Sequence, residues 1–148
     1  YLIYPNYDPG YKFIINIIKK YKKKYKNRII IFKHLDRQDF LKLIYYSQTF
    51  IGNSSAGILE TPSLNVPTLN IGSRQDGRPF GKSIYHATSS LKSIQKEMTK
   101  LKTNYKKVKI IKSVYQGKNT VNRIIKILSN TKLSGLKRKK FNDIRYES

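Results

Sequence analysis

Cysteine and tryptophan are absent from these 148 residues, methionine occurs once and histidine twice. Without cysteine no disulfide and no thiolate metal site can stabilise the fold, and nothing calls for an oxidising compartment. His34 and His86 lie too far apart in sequence to offer zinc-ligand spacing, and the few acids make no evident magnesium cluster, so neither metal nor other cofactor is expected. Long apolar runs are also missing: hydrophobic residues, 39% of the chain, are interleaved with charges, and none of the runs approaches a membrane span. Tyr1 opens directly in a strand-like segment without a signal-peptide pattern. These absences point to a soluble, cytoplasmic protein with no membrane partner.

Acidic residues are scarce as well. Lys+Arg 31 against Asp+Glu 8 gives a net charge of +23, with a pI near 10.2. Taken alone that surplus suggests an anionic partner, nucleic acid first. Its distribution argues otherwise, because most of the cations are lysines spread over helix faces in a chain also rich in Ile, Asn and Tyr. Specific nucleic-acid readers more often gather arginine and aromatic side chains on one face. The expectation is nonspecific adhesion to polyanions at low salt and no specific nucleic-acid partner.

The length suffices for one core, and the chain reads as a single domain of alternating strands and helices with no internal repeat. Leu2-Ile3-Tyr4 is a short strand closed by Pro5-Asn6. A helical stripe of Phe13, Ile14, Ile17, Ile18, Tyr21 and Tyr25 follows, with lysines on the open faces. Residues 28–32 form a strand of the kind buried on both faces of a parallel sheet. Asp36 caps a helix to Tyr46, residues 48–51 and 66–71 are strands, and residues 83–87 a last short one. Ser89 or Ser90 caps a helix to about Leu101. Residues 104–115 are ambiguous, and a further helix from Asn119 or Thr120 to about Leu128 turns Val121, Ile124, Ile125 and Leu128 inward. Residues 132–148 form a basic tail without a sustained apolar stripe, expected to be mobile. This order predicts an α/β doubly wound parallel sheet, Rossmann-like.

One stretch carries chemistry. Ile51-Gly52-Asn53-Ser54-Ser55-Ala56-Gly57-Ile58-Leu59-Glu60 takes a strand end through small, hydroxylated residues into a short helix. Small residues let backbone approach a ligand, and the first amides of a helix have no intrahelical partners, which suits a phosphate. Ser54 and Ser55 add hydroxyl donors, and Glu60 is placed to accept from ribose hydroxyls. The same residues also fit a plain helix cap followed by a solvated acid, and spacing alone does not choose between the two. Gly72-Ser73-Arg74-Gln75-Asp76-Gly77-Arg78 then forms a basic loop after the next strand, where open parallel sheets bind ligands and an arginine can fork onto a phosphate.

These residues carry a resemblance. Gly-Asn-Ser-Ser-x-Gly-x-x-Glu from Gly52, and Pro-Ser-x-x-Val-Pro-Thr-x-Asn-Ile-Gly-x-Arg-Gln-x-Gly-Arg from Pro62, resemble the C-terminal half of the UDP-N-acetylglucosamine 2-epimerases. The hydrolysing branch, which makes N-acetylmannosamine for sialic acid synthesis, is the nearest. Tyr4-Pro5-Asn6-Tyr7-Asp8-Pro9-Gly10 and, more weakly, Tyr115-Gln116-Gly117-Lys118-Asn119-Thr120 extend the likeness to about Ser129.

The resemblance implies that residues 1–131 are the UDP-binding C-terminal lobe of a two-lobed, glycosyltransferase-B-like enzyme, with residues 132–148 as its tail. It places UDP on Leu35, Asn53, Ser54, Ser55, Glu60 and Arg74: the backbone at Leu35 meets the uracil edge, Glu60 the ribose, and Arg74 contacts UDP. Asn6, Lys33, His34 and Arg78 are secondary candidates. The partners implied are a UDP-sugar, the N-terminal lobe, which supplies most of the acidic catalytic groups, and further copies, since the family is commonly homo-oligomeric. The histidine-and-arginine segment that opens the family's C-terminal lobe is missing, and no catalytic residue is assigned within this chain. A stand-alone basic module for nucleotides or nucleic acid is the competing reading.

Overall fold

The structure is a computed structural model that describes residues 1–108, 113–115 and 117–132. The chain divides into two compact units, Tyr1–Val114 and Tyr115–Ser148. In the first, the order is β1 (Leu2–Ile3), α1 (Tyr11–Lys24), β2 (Ile31–Phe32), α2 (Arg37–Tyr45), β3 (Phe50–Gly52), α3 (Ala56–Leu59), a 3₁₀ turn (Thr61–Leu64), β4 (Thr68–Ile71), β5 (Ile84–Ala87) and α4 (Leu91–Val108). The second contains α5 (Thr120–Asn130). Among the described residues no helix is long and apolar enough to cross a membrane.

Every strand pairing is parallel. β1 pairs with β2 in the register Leu2 to Ile31, and β4 lies between β3 and β5 with Phe50 opposite Thr68 and Asn70 opposite His86. Parallel strands joined through helices define a Rossmann-like α/β fold, the class the alternating pattern predicts. Among the described residues the sheet nevertheless comes in two parts, β1-β2 and β3-β4-β5, with no ladder between β1 and β3.

Local signals explain the boundaries. Pro5 cannot donate to a ladder and ends β1, while Gly10, at φ 88, takes the left-handed turn that starts α1. The Asp36 carboxylate accepts from the Asp39 amide at 2.8 Å and caps α2, and this bond holds the Asp36 carboxyl below its usual pKa. Ser90 Oγ accepts from the Ser93 amide at 3.2 Å at the head of α4. Past the 3₁₀ turn, Asn65 takes φ 58 and turns the chain into β4.

The core sits around β4. Leu69 is completely buried against Ala87 and Leu101, with Ile71, Tyr85, Ile94, Met98 and Tyr105 around them. On the side facing α3 the polar pair Thr61 and Thr68 is buried, but satisfied: their hydroxyls lie 2.7 Å apart and Thr61 Oγ1 donates to the Gly57 carbonyl at 2.9 Å. α3 can sit this low only because Gly57 has no side chain; a Cβ there would lie 2.9 Å from Thr68 Cγ2.

Several expectations change. The strand predicted over 28–32 is ordered as strand only at Ile31–Phe32 and is half-buried, pairing among the described residues on one edge only. α4 continues past Leu101 to Val108, resolving the ambiguous stretch as helix up to that point; residues 109–112 lie outside the described residues. The α1 stripe is covered only at Ile18, while Phe13 is 71% exposed and Ile14, Ile17 and Tyr21 are exposed too. On α5, Val121, Ile124, Ile125 and Leu128 are likewise exposed rather than turned inward. The expectation of a mobile tail over residues 132–148 falls, beyond Lys132, outside the described residues.

Candidate functional site

From β1 the chain moves outward to β2; it then returns through α2 to β3 and moves outward the other way to β4 and β5. The strand order therefore reverses between β1 and β3, and in open parallel sheets the crevice at the carboxyl ends beside such a reversal is the usual ligand seat. A cleft of about 660 Å³ lies there. Its walls include Tyr4, Pro5 and Asn6 after β1, Gly52, Asn53 and Ser54 after β3, and Arg74 from the loop after β4.

Side-chain contacts hold this rim in place. Gln75, almost fully buried, donates through Nε2 to the Asn53 carbonyl at 2.8 Å, and Arg74 Nη1 approaches the same oxygen at 3.4 Å. The Ser54 hydroxyl accepts from the Ala56 amide at 3.4 Å, and the Ser54 carbonyl accepts from Gly57. Gly72 at φ 83 and Gly77 at φ 79 turn the Arg74 loop back across the strand ends. Asp8 and Arg74 are the charged residues among the cleft's lining. The rim thus presents a guanidinium, a serine hydroxyl and two asparagines, a set suited to a phosphorylated, hydroxylated ligand.

Of the residues singled out in the sequence, Asn6, Asn53, Ser54 and Arg74 meet at this cleft. Ser55 instead precedes α3, its carbonyl accepting from Ile58 and Leu59. α3 is only four residues long, so it offers individual amides rather than a substantial dipole. Glu60 ends α3 away from the cleft lining and pairs with Arg37 at 2.6 Å; its second oxygen, Oε2, is buried without a partner among the described residues. Leu35 lines a separate depression with Tyr1, Phe32 and Tyr46. Lys33 and His34 follow β2 and are exposed, as is Arg78, whose amide donates to the Gln75 carbonyl in the loop turn.

Two contributors carried no sequence signal of their own. Gln75 stands inside the motif but acts by reaching 22 positions back in the chain, a separation no local pattern reveals. Arg37, in the first turn of α2, occupies one oxygen of Glu60. Behind the rim, Asn70 Nδ2 contacts both the Gly72 carbonyl and His86 Nδ1 at 3.3 Å, and Phe80 lies over the histidine ring. Burial lowers the His86 pKa, an effect Asp76 partly opposes.

The profile of the UDP-N-acetylglucosamine 2-epimerase family matches residues 1–129, and the chain belongs to that family. It is similar to a UDP-N-acetylglucosamine 2-epimerase of Neisseria meningitidis serogroup B, 39% identical over 92 residues, covering 62% of this chain and 24% of the relative. It is also similar to the polysialic acid biosynthesis protein P7 of Escherichia coli, 46% identical over 79 residues, covering 53% and 20% respectively. A UDP-N,N'-diacetylbacillosamine 2-epimerase (hydrolyzing) of Legionella pneumophila is 42% identical over 74 residues, covering 50% of this chain and 19% of the relative. The chain thus matches about a fifth to a quarter of the length of these relatives.

Proposed function

We propose that these residues form the UDP-binding, C-terminal lobe of a hydrolysing UDP-N-acetylglucosamine 2-epimerase, which with its N-terminal lobe releases UDP and N-acetylmannosamine for sialic acid-type sugar synthesis. The observation that carries the reading is the convergence of Asn53, Ser54 and Arg74 at the strand-order reversal, in a chain of this family. The names of the Neisseria and E. coli relatives favour the sugar and pathway. In this reading Arg74 and the turn over Asn53, Ser54 and Ser55 hold the diphosphate by charge-assisted hydrogen bonds. Glu60, paired with Arg37 through one carboxylate oxygen, is the ribose candidate. The Leu35 backbone, flanked by Lys33 and His34, takes the uracil edge; Asn6 and Arg78 border the sugar and phosphates.

The inventory of acids supports a role in binding rather than complete catalysis. Abstraction of the C2 proton needs a base within hydrogen-bond reach, and departure of UDP needs stabilisation of its charge. Asp36 caps α2, while Asp39, Glu60 and Glu97 are engaged by Lys42, Arg37 and Lys100. Asp8 is the acid that lines the cleft, Asp76 sits in the loop beside His86, and Asp143 and Glu147 lie outside the described residues. The test is UDP release from UDP-N-acetylglucosamine by the 148-residue chain alone and fused behind the N-terminal portion of the Neisseria relative. Release by the fusion only, lost with Arg74→Ala, is expected. Turnover by the 148 residues alone, abolished by Asp8→Asn, would overturn the division of labour.

A further inference from the structure

The root of the Arg74 loop is held by hydrogen bonds that admit one placement of the hydrogens. Asn70 Nδ2 lies 3.3 Å from the Gly72 carbonyl oxygen and 3.3 Å from His86 Nδ1. A carbonyl can only accept, so the amide turns its NH2 toward Gly72, and the same nitrogen is then the donor to the imidazole. His86 Nδ1 is therefore bare, and the neutral ring carries its proton on Nε2. Two polar atoms go unsatisfied in this arrangement: Asn70 Oδ1 and His86 Nε2 are buried with no partner among the described residues. A half-satisfied buried pair calls for a reason. What it holds is Gly72, which donates to the Ala87 carbonyl at 2.8 Å, leaves β4 at φ 83 and begins the loop that carries Arg74 and Gln75.

Alternation along the strands sets His86 beside Asn70 and Thr68, on the face where Thr68 meets Thr61, while Leu69, Tyr85 and Ala87 face α4. The β4 neighbours on this face are neutral, and Glu60, between α3 and the 3₁₀ turn, is engaged by Arg37. The loop brings Asp76, whose charge acts on the ring, together with the exposed Arg74, Arg78 and Lys82. Burial favours the neutral ring that this arrangement requires, and Asp76 opposes it. Phe80 lies over the imidazole with ring centroids 4.2 Å apart, which confines the ring and leaves the Asn70 amide as the part that turns.

We propose that Asn70 and His86 are positioning residues that make the placement of the Arg74 loop, and through it nucleotide affinity, depend on a proton. A hydrogen added at Nδ1 faces the Asn70 NH2, donor against donor. Turning the amide over lets Oδ1 accept from the imidazolium but sets that oxygen against the Gly72 carbonyl, which loses its donor. The same side chains thus offer two arrangements, a neutral His86 with the loop root tied and a charged His86 with the root released. The tied loop holds Arg74 at the cleft, so affinity is full above the range in which His86 titrates, which burial places below 6.5, and falls as the pH drops through it. Bound nucleotide in turn resists protonation of the ring. The effect on affinity rests on reading the rim as a nucleotide site; the coupling of His86 to the loop does not.

The probe is UDP-N-acetylglucosamine, whose two phosphates are both diesters and keep their charge, whereas the terminal phosphate of UDP itself titrates at about pH 6. Nitrogen-15 NMR of the 148-residue chain reads the His86 tautomer and, through a titration from about pH 8 to pH 5, the backbone amides of Ser73 and Arg74. A neutral Nε2–H ring at the upper end is expected, with both amides shifting in step with His86. In His86→Asn, whose Oδ1 takes the place of Nδ1 and gains no proton, those shifts should vanish. Calorimetry below the melting transition should give binding at least about threefold weaker at the lower pH, and a pH-independent constant for His86→Asn. An Nδ1–H tautomer, loop amides that ignore the titration, or binding no more pH-dependent than the variant's would each overturn the proposal. Loop amides that follow His86 in a chain that binds no UDP-N-acetylglucosamine would refute the nucleotide reading and leave the proton-linked loop standing.

Discussion

Gln75 Nε2 donates to the Asn53 carbonyl at 2.8 Å, tying the loop after β4 to the turn after β3. The neighbouring Arg74 is thereby held over the cleft by a buried anchor rather than by its own long side chain. Replacing Gln75 with alanine removes a part-buried hydrogen bond, a loss of roughly 0.5–1.5 kcal/mol. Gln75→Ala should lower the urea midpoint and also weaken UDP binding, although Gln75 is not placed against the ligand. Unchanged affinity, measured below the unfolding transition, would show that Arg74 needs no such support.

Gly57 is the tightest point between α3 and the sheet. A methyl group there meets Thr68 Cγ2 at 2.9 Å and two ring atoms of Phe50 at 3.1 Å. Thr68 cannot swing aside without breaking its buried contact with Thr61. Gly57→Ala is expected to destabilise the chain by roughly 1–3 kcal/mol through overpacking, despite the helix propensity gained. An unchanged or higher midpoint in urea would refute this packing account.

Legibility from sequence followed the range of the forces involved. The Asp36 cap and the order of strands and helices depend on neighbours a few residues apart, and the pattern displays them. The placement of Asn53 and Ser54 on a cleft wall was legible through small residues at a strand end, and that of Arg74 through its loop. The split between β1 and β3 was not legible, because apolar strands of two to four residues look alike whether their edges are paired or open. Nor was the exposure of the α1 and α5 stripes, since periodicity reports that a face is apolar and says nothing of what covers it. The attachment of Glu60 to Arg37 and of Gln75 to Asn53 are long-range contacts between loops and helix ends, where no period operates.

His86 gives the fold a pH dependence. Its pKa is lowered from 6.5 by burial, with Asp76 opposing. A histidine whose folded value lies below its unfolded value binds protons more readily when unfolded, so stability is full above the unfolded value and falls as the pH drops below it. The lowered Asp36 carboxyl acts in a separate window, below 3.8. The melting temperature should therefore fall between pH 7.5 and pH 5, and His86→Gln should flatten that slope. An equal slope in the variant would assign the dependence elsewhere.

The central claim is that the rim at the strand-order reversal reads a uridine diphosphate. Calorimetry of the 148-residue chain at about physiological salt, with UDP, AMP and random DNA in turn, tests it most directly. The account predicts that UDP binds more tightly than AMP, that Arg74→Ala weakens UDP by roughly 1–3 kcal/mol with little change in melting temperature, and that DNA binding fades as salt rises. Equal or absent binding of the two nucleotides, with DNA binding that survives high salt, would contradict it and favour a basic nucleic-acid module.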